Sequence, residues 1–518
     1  MFFDSTSPWR NRVSSALVGA FGSGERRSRL RPRRCARGGL LAIDHLIERL
    51  EDRKLLDASS ISHPCFIYNS GSGSLQSSSP VGFTPAQIQK AYGIDSLLAS
   101  GNGGQGQTVA IVDGYDWPTA ATDLHNFDVQ FGLPDPPSFT KVNEFGNPSP
   151  LPPVDPSGPG PNSDEVETAL DVEWVHSIAP KASIILVECE TFTAADLQTP
   201  NSDVYKAIDT AANLPGVSVV SMSFGIPEFN GEQNLDSNFL TPPGHQNVTF
   251  LASTGDSGAP GEYPAYSPNV VAVGGTTLTI DSSGNYISES GWSLGSDPGQ
   301  PNSASGGGVS LYEPTPSFQS SNGVNYGARS IPDVSWLADP NIGVYIVDTL
   351  DAPGEILIAG GTSLAAPMWA GLIALGDQAR GSAGSLSSTG VLDSLYGAYN
   401  SSNYSADFHD ITVGNNGFAA GPGYDLVTGI GTPKAQNIVN LLGTVLPPAV
   451  SIGSPTVNTG SSAGLSNVDS NAEKSVSVYS KPLSPISINS VFTDGALSDF
   501  VTTVDIPKAK KIGSLLFS

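Results

Sequence analysis

The sequence has few cysteines and no long hydrophobic run. Three cysteines, Cys35, Cys65 and Cys189, occur among 518 residues, too few for a disulfide framework to hold a chain of this length. Cys65 and Cys189 are compatible with a disulfide and equally with two buried free thiols. No apolar run reaches the roughly 18 residues of a membrane-spanning helix, so no membrane span is expected. The length suits one large α/β domain with extensions.

Positive charge is scarce and unevenly placed. Of the 24 basic residues, 12 lie in residues 1–58 beside seven acidic ones, which leaves 12 basic and 42 acidic residues, a net charge of −30, in the rest of the chain. Such a body is not expected to bind nucleic acid electrostatically. In acid its carboxylates protonate and repel one another less, although simple solubility would explain the same charge.

The composition divides the chain into four segments. Residues 1–58 form a basic leader, residues 59–81 a Ser/Gly-rich linker, residues 82–445 the body, and residues 446–518 a tail that is either a small β module or disordered. Residues 47–56, Ile-Glu-Arg-Leu-Glu-Asp-Arg-Lys-Leu-Leu, resemble the leader of planctomycete-type exported proteins. That resemblance implies an extracellular or cell-surface protein, whereas the composition alone is also that of a disordered basic tail.

Apolar stretches bounded by turn residues alternate with helical patterns in the first half of the body. Strands are predicted at 107–113, 183–188, 217–222 and 248–252, and helices at 118–131, 164–178 and 202–213, while Thr84 and Pro85 begin an earlier helix. This alternation predicts an α/β fold, a parallel sheet with helices on both faces. Reactive residues are expected at the carboxyl ends of the strands.

Two carboxylates, Glu167 and Asp171, lie four residues apart on a predicted helix and therefore share one face. Trp174, Val175 and Ile178 continue that face with apolar side chains, so the pair is expected to point inward. Packed together near a core, the two groups would share a proton and one pKa would rise. The alternative is a solvated acidic face.

Ser363 lies between a predicted strand, residues 355–359, and a predicted helix that begins at Leu364. Unpaired N–H groups and the positive end of the helix dipole surround such a serine and favour negative charge near its oxygen. An ordinary N-cap serine is the alternative. Gly360 and Gly361 before it indicate that another group approaches the backbone closely.

Asp256 follows a third strand end, in Ser253-Thr-Gly-Asp-Ser-Gly258. A turn aspartate would explain this motif. A protonated aspartic acid at this place could instead donate a hydrogen bond to a developing oxyanion, which requires a low working pH.

These pieces, with Val109-Ala-Ile-Val-Asp-Gly-Tyr-Asp-Trp-Pro, Ser223-Phe-Gly and Ser305-Gly-Gly-Gly-Val-Ser, resemble the sedolisin family of serine-carboxyl peptidases over residues 82–445. The family has a subtilisin-like fold, and the His-Gly-Thr-His of subtilisins is absent here. The resemblance implies a secreted, acid-active endopeptidase that acts on proteins or peptides and is a monomer. Its site would use Ser363 as nucleophile, Glu167 as general base, Asp171 to orient Glu167, and Asp256 in the oxyanion hole. Asp113 is expected to be structural.

A further match, in Phe408-His-Asp-Ile-Thr and Ala420-Gly-Pro-Gly-Tyr-Asp425, resembles the calcium site of the family. It implies Ca²⁺ held by the carboxylates of Asp410 and Asp425 and the backbone carbonyls of Ile411, Gly421 and Gly423, an all-oxygen set that suits this ion. A Gly-rich turn capped by aspartates is the alternative.

The family pattern fails at the N-terminal side, where a short linker stands in place of a large prosegment, so zymogen control of the usual form is not expected. Two rival functions remain. Gly361-Thr-Ser-Leu-Ala365 approaches the nucleophile elbow of α/β-hydrolases, with His409 as the base of an esterase. A surface-binding module without catalysis would need none of these residues.

Overall fold

A computed structural model describes residues 82–444, apart from 159, 161–162, 294 and 296–301, together with short strands at 66–67 and in the C-terminal region. The chain divides into two compact units, residues 1–449 and 450–518. The predicted leader, most of the linker, and Cys35 and Cys65 lie outside the described residues. Cys189 is a buried free thiol. For that residue, this agrees with the alternative of a free thiol rather than a disulfide.

The strands of the first unit are short and separated by helices or turns. They are β1 (Phe66–Ile67), β2 (Thr108–Gly114), β3 (Phe139–Asn143), β4 (Ser183–Cys189), β5 (Val217–Met222), β6 (Ile226–Pro227), β7 (Thr249–Ser253), β8 (Glu262–Tyr263), β9 (Val271–Ile280), β10 (Tyr286–Gly291), β11 (Gly308–Val309), β12 (Ser330–Ile331), β13 (Val334–Leu337), β14 (Val344–Ile346), β15 (Leu357–Ala359), β16 (Phe408–His409) and β17 (Thr432–Pro433).

Eight of these strands form the central sheet, in the order β10-β9-β7-β5-β2-β4-β3, with β13 also paired to β9. Every pair is parallel except β10 with β9. Side chains of β2 alternate between two cores, since Val109 and Ile111 belong to one and Ala110 and Val112 to the other. Both faces of a parallel sheet must be covered in this way.

Helices supply that cover. They are α1 (Pro85–Tyr92), α2 (Ile94–Ala99), α3 (Ala120–Phe131), α4 (Asp164–Ile178), α5 (Ala194–Leu197), α6 (Asp203–Asn213), α7 (Ser317–Ser320), α8 (Thr362–Arg380), α9 (Ser388–Tyr399), α10 (Tyr404–Asp407) and α11 (Ala435–Thr444). Residues of α4 and α8 join one core and residues of α6 the other. The predicted α/β class, with helices on both faces of a parallel sheet, is confirmed.

Local signals set several element boundaries where the sequence predicts them. α4 and β5 have the predicted ends, α3 begins two residues later than predicted, and β7 is displaced by one residue. Thr84 and Gln87 form the reciprocal bonds of a capping box before α1, with Pro85 in its first turn.

The C-terminal unit contains a four-stranded antiparallel sheet, β18 (Ser475–Val478), β19 (Ile486–Ser490), β20 (Phe500–Val504) and β21 (Leu515–Phe517). Over the described residues, no helix is both long enough and apolar enough to span a membrane.

Candidate active site

Glu167 and Asp171 lie one turn apart on α4. The helix begins after Ser163, whose hydroxyl accepts a bond from the Val166 N–H at 3.4 Å, and acidic residues in its first turn complement the helix dipole. All fifteen residues of α4 are buried, because the helix packs against α8 and α3 and against the sheet. The alternative of a solvated acidic face is therefore wrong.

Ser363 lies in the first turn of α8. The helix begins after Gly361, whose φ of 110° favours glycine and whose N–H bonds the Ala338 carbonyl at 2.6 Å. A Cβ at Gly360 would lie 2.5 Å from that same carbonyl oxygen. The close approach that the glycine pair indicates is thus made by the protein's own backbone, and it fixes the position at which α8 begins.

Ser223, just after β5, connects α4 to the backbone of Ser363. Its hydroxyl oxygen lies 2.8 Å from Asp171 Oδ1 and 3.2 Å from the Ser363 carbonyl oxygen. The Ser363 hydroxyl in turn donates to the Ser223 carbonyl at 3.4 Å. Within α8 the Ser363 carbonyl has no partner four residues on, because that residue is Pro367 and lacks an N–H.

Asp256 lies beside the same turn of α8. Its Oδ1 accepts bonds from the Thr362 N–H at 2.7 Å and the Thr362 hydroxyl at 2.8 Å. The Gly255 N–H donates to the Thr362 hydroxyl oxygen at 3.1 Å, which ties the loop after β7 to the helix. Since Oδ1 is an acceptor, the proton of a neutral Asp256 would reside on Oδ2.

Three buried carboxyls form one electrostatic group. Burial raises the pKa of Glu167 well above its usual value, Asp171 and Asp113 raise it further, and the nearby Ser363 hydroxyl lowers it. Burial likewise raises the pKa of Asp171, against a lowering by Ser223. Within the described part of the chain, neither Glu167 oxygen accepts a hydrogen bond of good geometry. Such a group carries fewer charges than it has members.

Asp113 is the member that sequence reasoning did not place in the site. It lies at the carboxyl end of β2, and burial followed by the charge of Asp171 raises its pKa well above the usual value. The sequence did carry a signal for this, because Asp113 ends a strand of the predicted parallel sheet, where reactive residues are expected. The predicted structural role of Asp113 stays a prediction, but its carboxyl belongs to the same buried group.

His409 is held elsewhere. On β16 its ring stacks on Tyr286 with centroids 3.9 Å apart, and burial lowers its pKa to about 4. The Ser363 hydroxyl contacts Ser223 and faces Glu167 instead. The arrangement thus gives no support to the α/β-hydrolase alternative.

The two predicted calcium carboxylates both contact the turn at Gly421 to Gly423. Asp410 Oδ1 accepts from the Gly423 N–H at 3.0 Å, and Asp425 Oδ2 accepts from the Gly421 N–H at 2.9 Å. Two carboxylates that meet the same turn have the oxygen chemistry that calcium prefers. Among the residues that the structure describes, no cluster of three or more His, Cys, Asp or Glu side chains could hold a metal ion.

Known proteins resemble the chain in both sequence and structure. A model of the subtilase family matches residues 159–391. Kumamolisin from Bacillus sp. (strain MN-32) is 34% identical over 411 residues, covering 72% of this chain and 65% of kumamolisin. Sedolisin from Pseudomonas sp. (strain 101) is 32% identical over 287 residues, covering 50% of this chain and 47% of sedolisin. The chain thus spans less than two thirds of the length of these curated relatives.

A solved structure agrees with these matches. The structure of Pseudomonas sedolisin, a serine-carboxyl proteinase complexed with two molecules of pseudo-iodotyrostatin, superposes with a TM-score of 0.59 at 27% identity. The match covers 70% of this chain and 98% of that one. Its fold is the subtilisin-like arrangement that the sequence motifs imply, and in motifs, sheet and overall fold the chain is similar to the sedolisin family.

Proposed function

We propose that the protein is a serine-carboxyl endopeptidase that hydrolyses peptide bonds in acid. One observation carries the proposal: the Ser363 hydroxyl faces a buried group of carboxyls rather than an imidazole. A carboxylate base remains competent at a pH where histidine is already protonated. The kinship with kumamolisin and sedolisin supports the same reaction class.

The first half of the reaction uses Ser363 and Glu167. Glu167 takes the hydroxyl proton as the Ser363 oxygen attacks the carbonyl carbon of the peptide, and the carbonyl oxygen becomes negative. Glu167 then gives that proton to the leaving amine nitrogen, and the C–N bond breaks to leave an acyl-enzyme. Water attacks the ester in the second half, again with Glu167 as base, and Ser363 recovers its proton.

Asp256 supplies the oxyanion donor in this scheme. Oδ1 is held by Thr362, so a proton on Oδ2 can donate to the negative oxygen of the intermediate. An ionised Asp256 would repel the same oxygen. The decline toward neutral pH therefore follows from the need for a neutral Asp256, whereas ionisation of Glu167, whose pKa is raised, sets the acid limb of the profile.

The test is hydrolysis of a denatured protein by the purified chain from about pH 2 to about pH 8, with Ser363→Ala as the inactive control. We expect a maximum well below about pH 6, falling toward neutrality as Asp256 ionises. A maximum near about pH 8, or an active Ser363→Ala variant, would refute the proposal.

Calcium and export complete the proposal. Asp410 and Asp425, with the carbonyls of Ile411, Gly421 and Gly423, would hold Ca²⁺ and so brace the turn that carries them. Export to the cell surface or beyond rests on the leader motif and on the kinship, and fractionation of expressing cells tests it.

A further inference from the structure

Ser223 has one hydroxyl proton and two acceptors within reach. Asp171 Oδ1 lies at 2.8 Å and the Ser363 carbonyl oxygen at 3.2 Å. An ionised Asp171 would take this proton, because hydrogen bonds to charged acceptors are the stronger ones. A neutral Asp171 competes weakly, and the proton can then satisfy the Ser363 carbonyl.

Pro367 makes that competition matter. In an uninterrupted helix the N–H of residue 367 would bond the Ser363 carbonyl, but proline has none. Both Ser223 and Ser363 are buried, so a carbonyl deserted by Ser223 would lose its partner away from water, which is costly. An ionised Asp171 therefore costs the free energy of leaving the Ser363 carbonyl without a hydrogen bond, and an ionised Glu167 does not.

We propose that Pro367 keeps the Ser223 proton on the Ser363 carbonyl, and so keeps the negative charge of the carboxyl pair on Glu167 rather than on Asp171. Pro367 is then a positioning residue for the base. This inference rests on the proposed function, since it explains why Glu167, the carboxyl nearest the Ser363 hydroxyl, is the one that accepts the proton.

The charged groups around the pair do not supply this bias. Asp113 from β2 and Asp256 from the loop after β7 raise the pKa of Glu167. Asp164 from the start of α4 and Glu188 from β4 act in turn on Asp113, and all four are carboxyls. Their repulsion opposes a negative charge on Glu167, so the bias toward Glu167 has to come from hydrogen bonding. The hydroxyl of Ser223 and the missing N–H of Pro367 distinguish one carboxyl from the other.

The experiment compares Pro367→Ala, Ser223→Ala and the double variant by kcat and KM as functions of pH. Pro367→Ala supplies an N–H to the Ser363 carbonyl and releases Ser223 to Asp171. We expect kcat to fall about tenfold and the acid limb of the profile to move up by about one pH unit, with KM little changed. Adding Ser223→Ala removes the donor to Asp171 and should return the limb to its original place.

Ser221→Ala is the matched control, because Ser221 is equally buried, lies on β5 two residues earlier, and has no hydrogen-bond partner in the described residues. Ser221→Ala should leave the acid limb in place. If Pro367 is merely structural, Pro367→Ala will lower kcat evenly across pH and the double variant will be no better. A fall in kcat that is even across pH, or a double variant no better than Pro367→Ala, overturns the inference.

A second readout does not depend on turnover. In the Ser363→Ala background, infrared titration of the protonated carboxyl stretch, assigned with Asp171→Asn, should show the proton on Asp171, and Pro367→Ala should move it to Glu167. If the proton stays on the same carboxyl in Pro367→Ala, the inference is wrong, whether or not the protein is a peptidase. An active Ser363→Ala variant would instead refute the proposed function.

Discussion

At the scale of single residues, the proposed mechanism depends on which groups can lose and accept protons in acid. Glu167 is buried beside Asp171 and Asp113, whereas His409 is stacked on Tyr286 away from Ser363. We expect Ser363→Ala and Glu167→Gln each to remove nearly all turnover, and the double variant to lose no more, because nucleophile and base act as one unit. Turnover of a peptide substrate at saturation measures this.

His409→Ala is the control for that series and should keep its activity. If it were inactive at saturating calcium while Glu167→Gln remained active, the esterase alternative would be correct. Asp171→Asn should be milder than Glu167→Gln but still severe, because Asp171 interacts with both Glu167 and Ser223.

Asp256 gives a second prediction at this scale. Asp256→Ala should lower kcat by about 10²–10³, the usual loss of one oxyanion donor. Asp256→Asn keeps an oxygen for Thr362 and gains an N–H that cannot ionise, so it should lose less and should no longer fade toward neutral pH. A neutral-pH decline in Asp256→Asn as steep as in the parent enzyme would show that another group causes it.

The sequence predicted Glu167, Asp171, Asp256 and Ser363 because each follows a recognisable local signal, a helical spacing or a strand end. It could not predict the bonds of Ser223, since these depend on how β5 and α8, remote in sequence, lie against each other. Asp113 was missed as a neighbour of the pair for the same reason. The sequence also did not predict that every residue of α4 is buried, because the helix contains several acidic residues.

At the scale of elements, the contact between α4 and α8 sets the distance between Glu167 and Ser363, the proposed base and nucleophile. A Cβ on Gly371 of α8 would lie 2.8 Å from the Ile178 Cβ of α4. Gly371→Ala should therefore cost about 1–3 kcal/mol of unfolding free energy and also lower kcat, because the helices must separate. Denaturant unfolding and kinetics measure the two effects.

Gly397→Ala is the matched helix variant, since nothing lies within 4 Å of a Cβ there. It should raise stability by up to about 1 kcal/mol and leave kcat unchanged. Equal effects of the two substitutions would mean that the contact between α4 and α8 is not tight.

The turn at Gly421 to Gly423, which belongs to the proposed calcium site, is a second element with a testable role. Chelation should lower Tm, since a ligand of the folded state stabilises it, and Asp410→Ala should abolish that response. Asp425 is a poorer choice for the test, because its Oδ1 also accepts from the Val427 and Thr428 N–H groups at 2.9 Å. Identical melting with calcium and with chelator would leave the segment an ordinary capped turn.

Over the whole molecule, many acids are buried, and burial raises their pKa values into the neutral range. Examples with their approximate pKa are Glu188 at about 8, Glu232 at about 9, Glu313 at about 8, Asp348 at about 8 and Asp377 at about 7. The folded chain binds these protons more tightly than the unfolded chain, whose carboxyls titrate near about 4. The resulting contribution to the free energy of unfolding is fully present below about pH 4, and it is lost as the pH rises through the pKa values of the folded state.

Thermal melting should therefore be highest in acid and fall toward about pH 8. Glu232→Gln removes one such group and should flatten the decline by at most about 1.4 kcal/mol per pH unit, whereas Glu190→Gln, at an exposed position, should leave it unchanged. A Tm that rises from acid to neutral pH would contradict this account. The composition indicated the excess of acids, but only the fold shows which are buried.

Pro367 has a consequence for attempts to improve the protein. A helix interior normally disfavours proline by about 3 kcal/mol, so replacing the buried Pro367 with another small residue should raise the melting point. The greater freedom of the unfolded chain offsets part of that gain. The same replacements would redirect the Ser223 proton. A screen for heat resistance alone would thus enrich variants at position 367 that survive heating but turn over more slowly, a trade-off between stability and activity that arises from a single missing N–H.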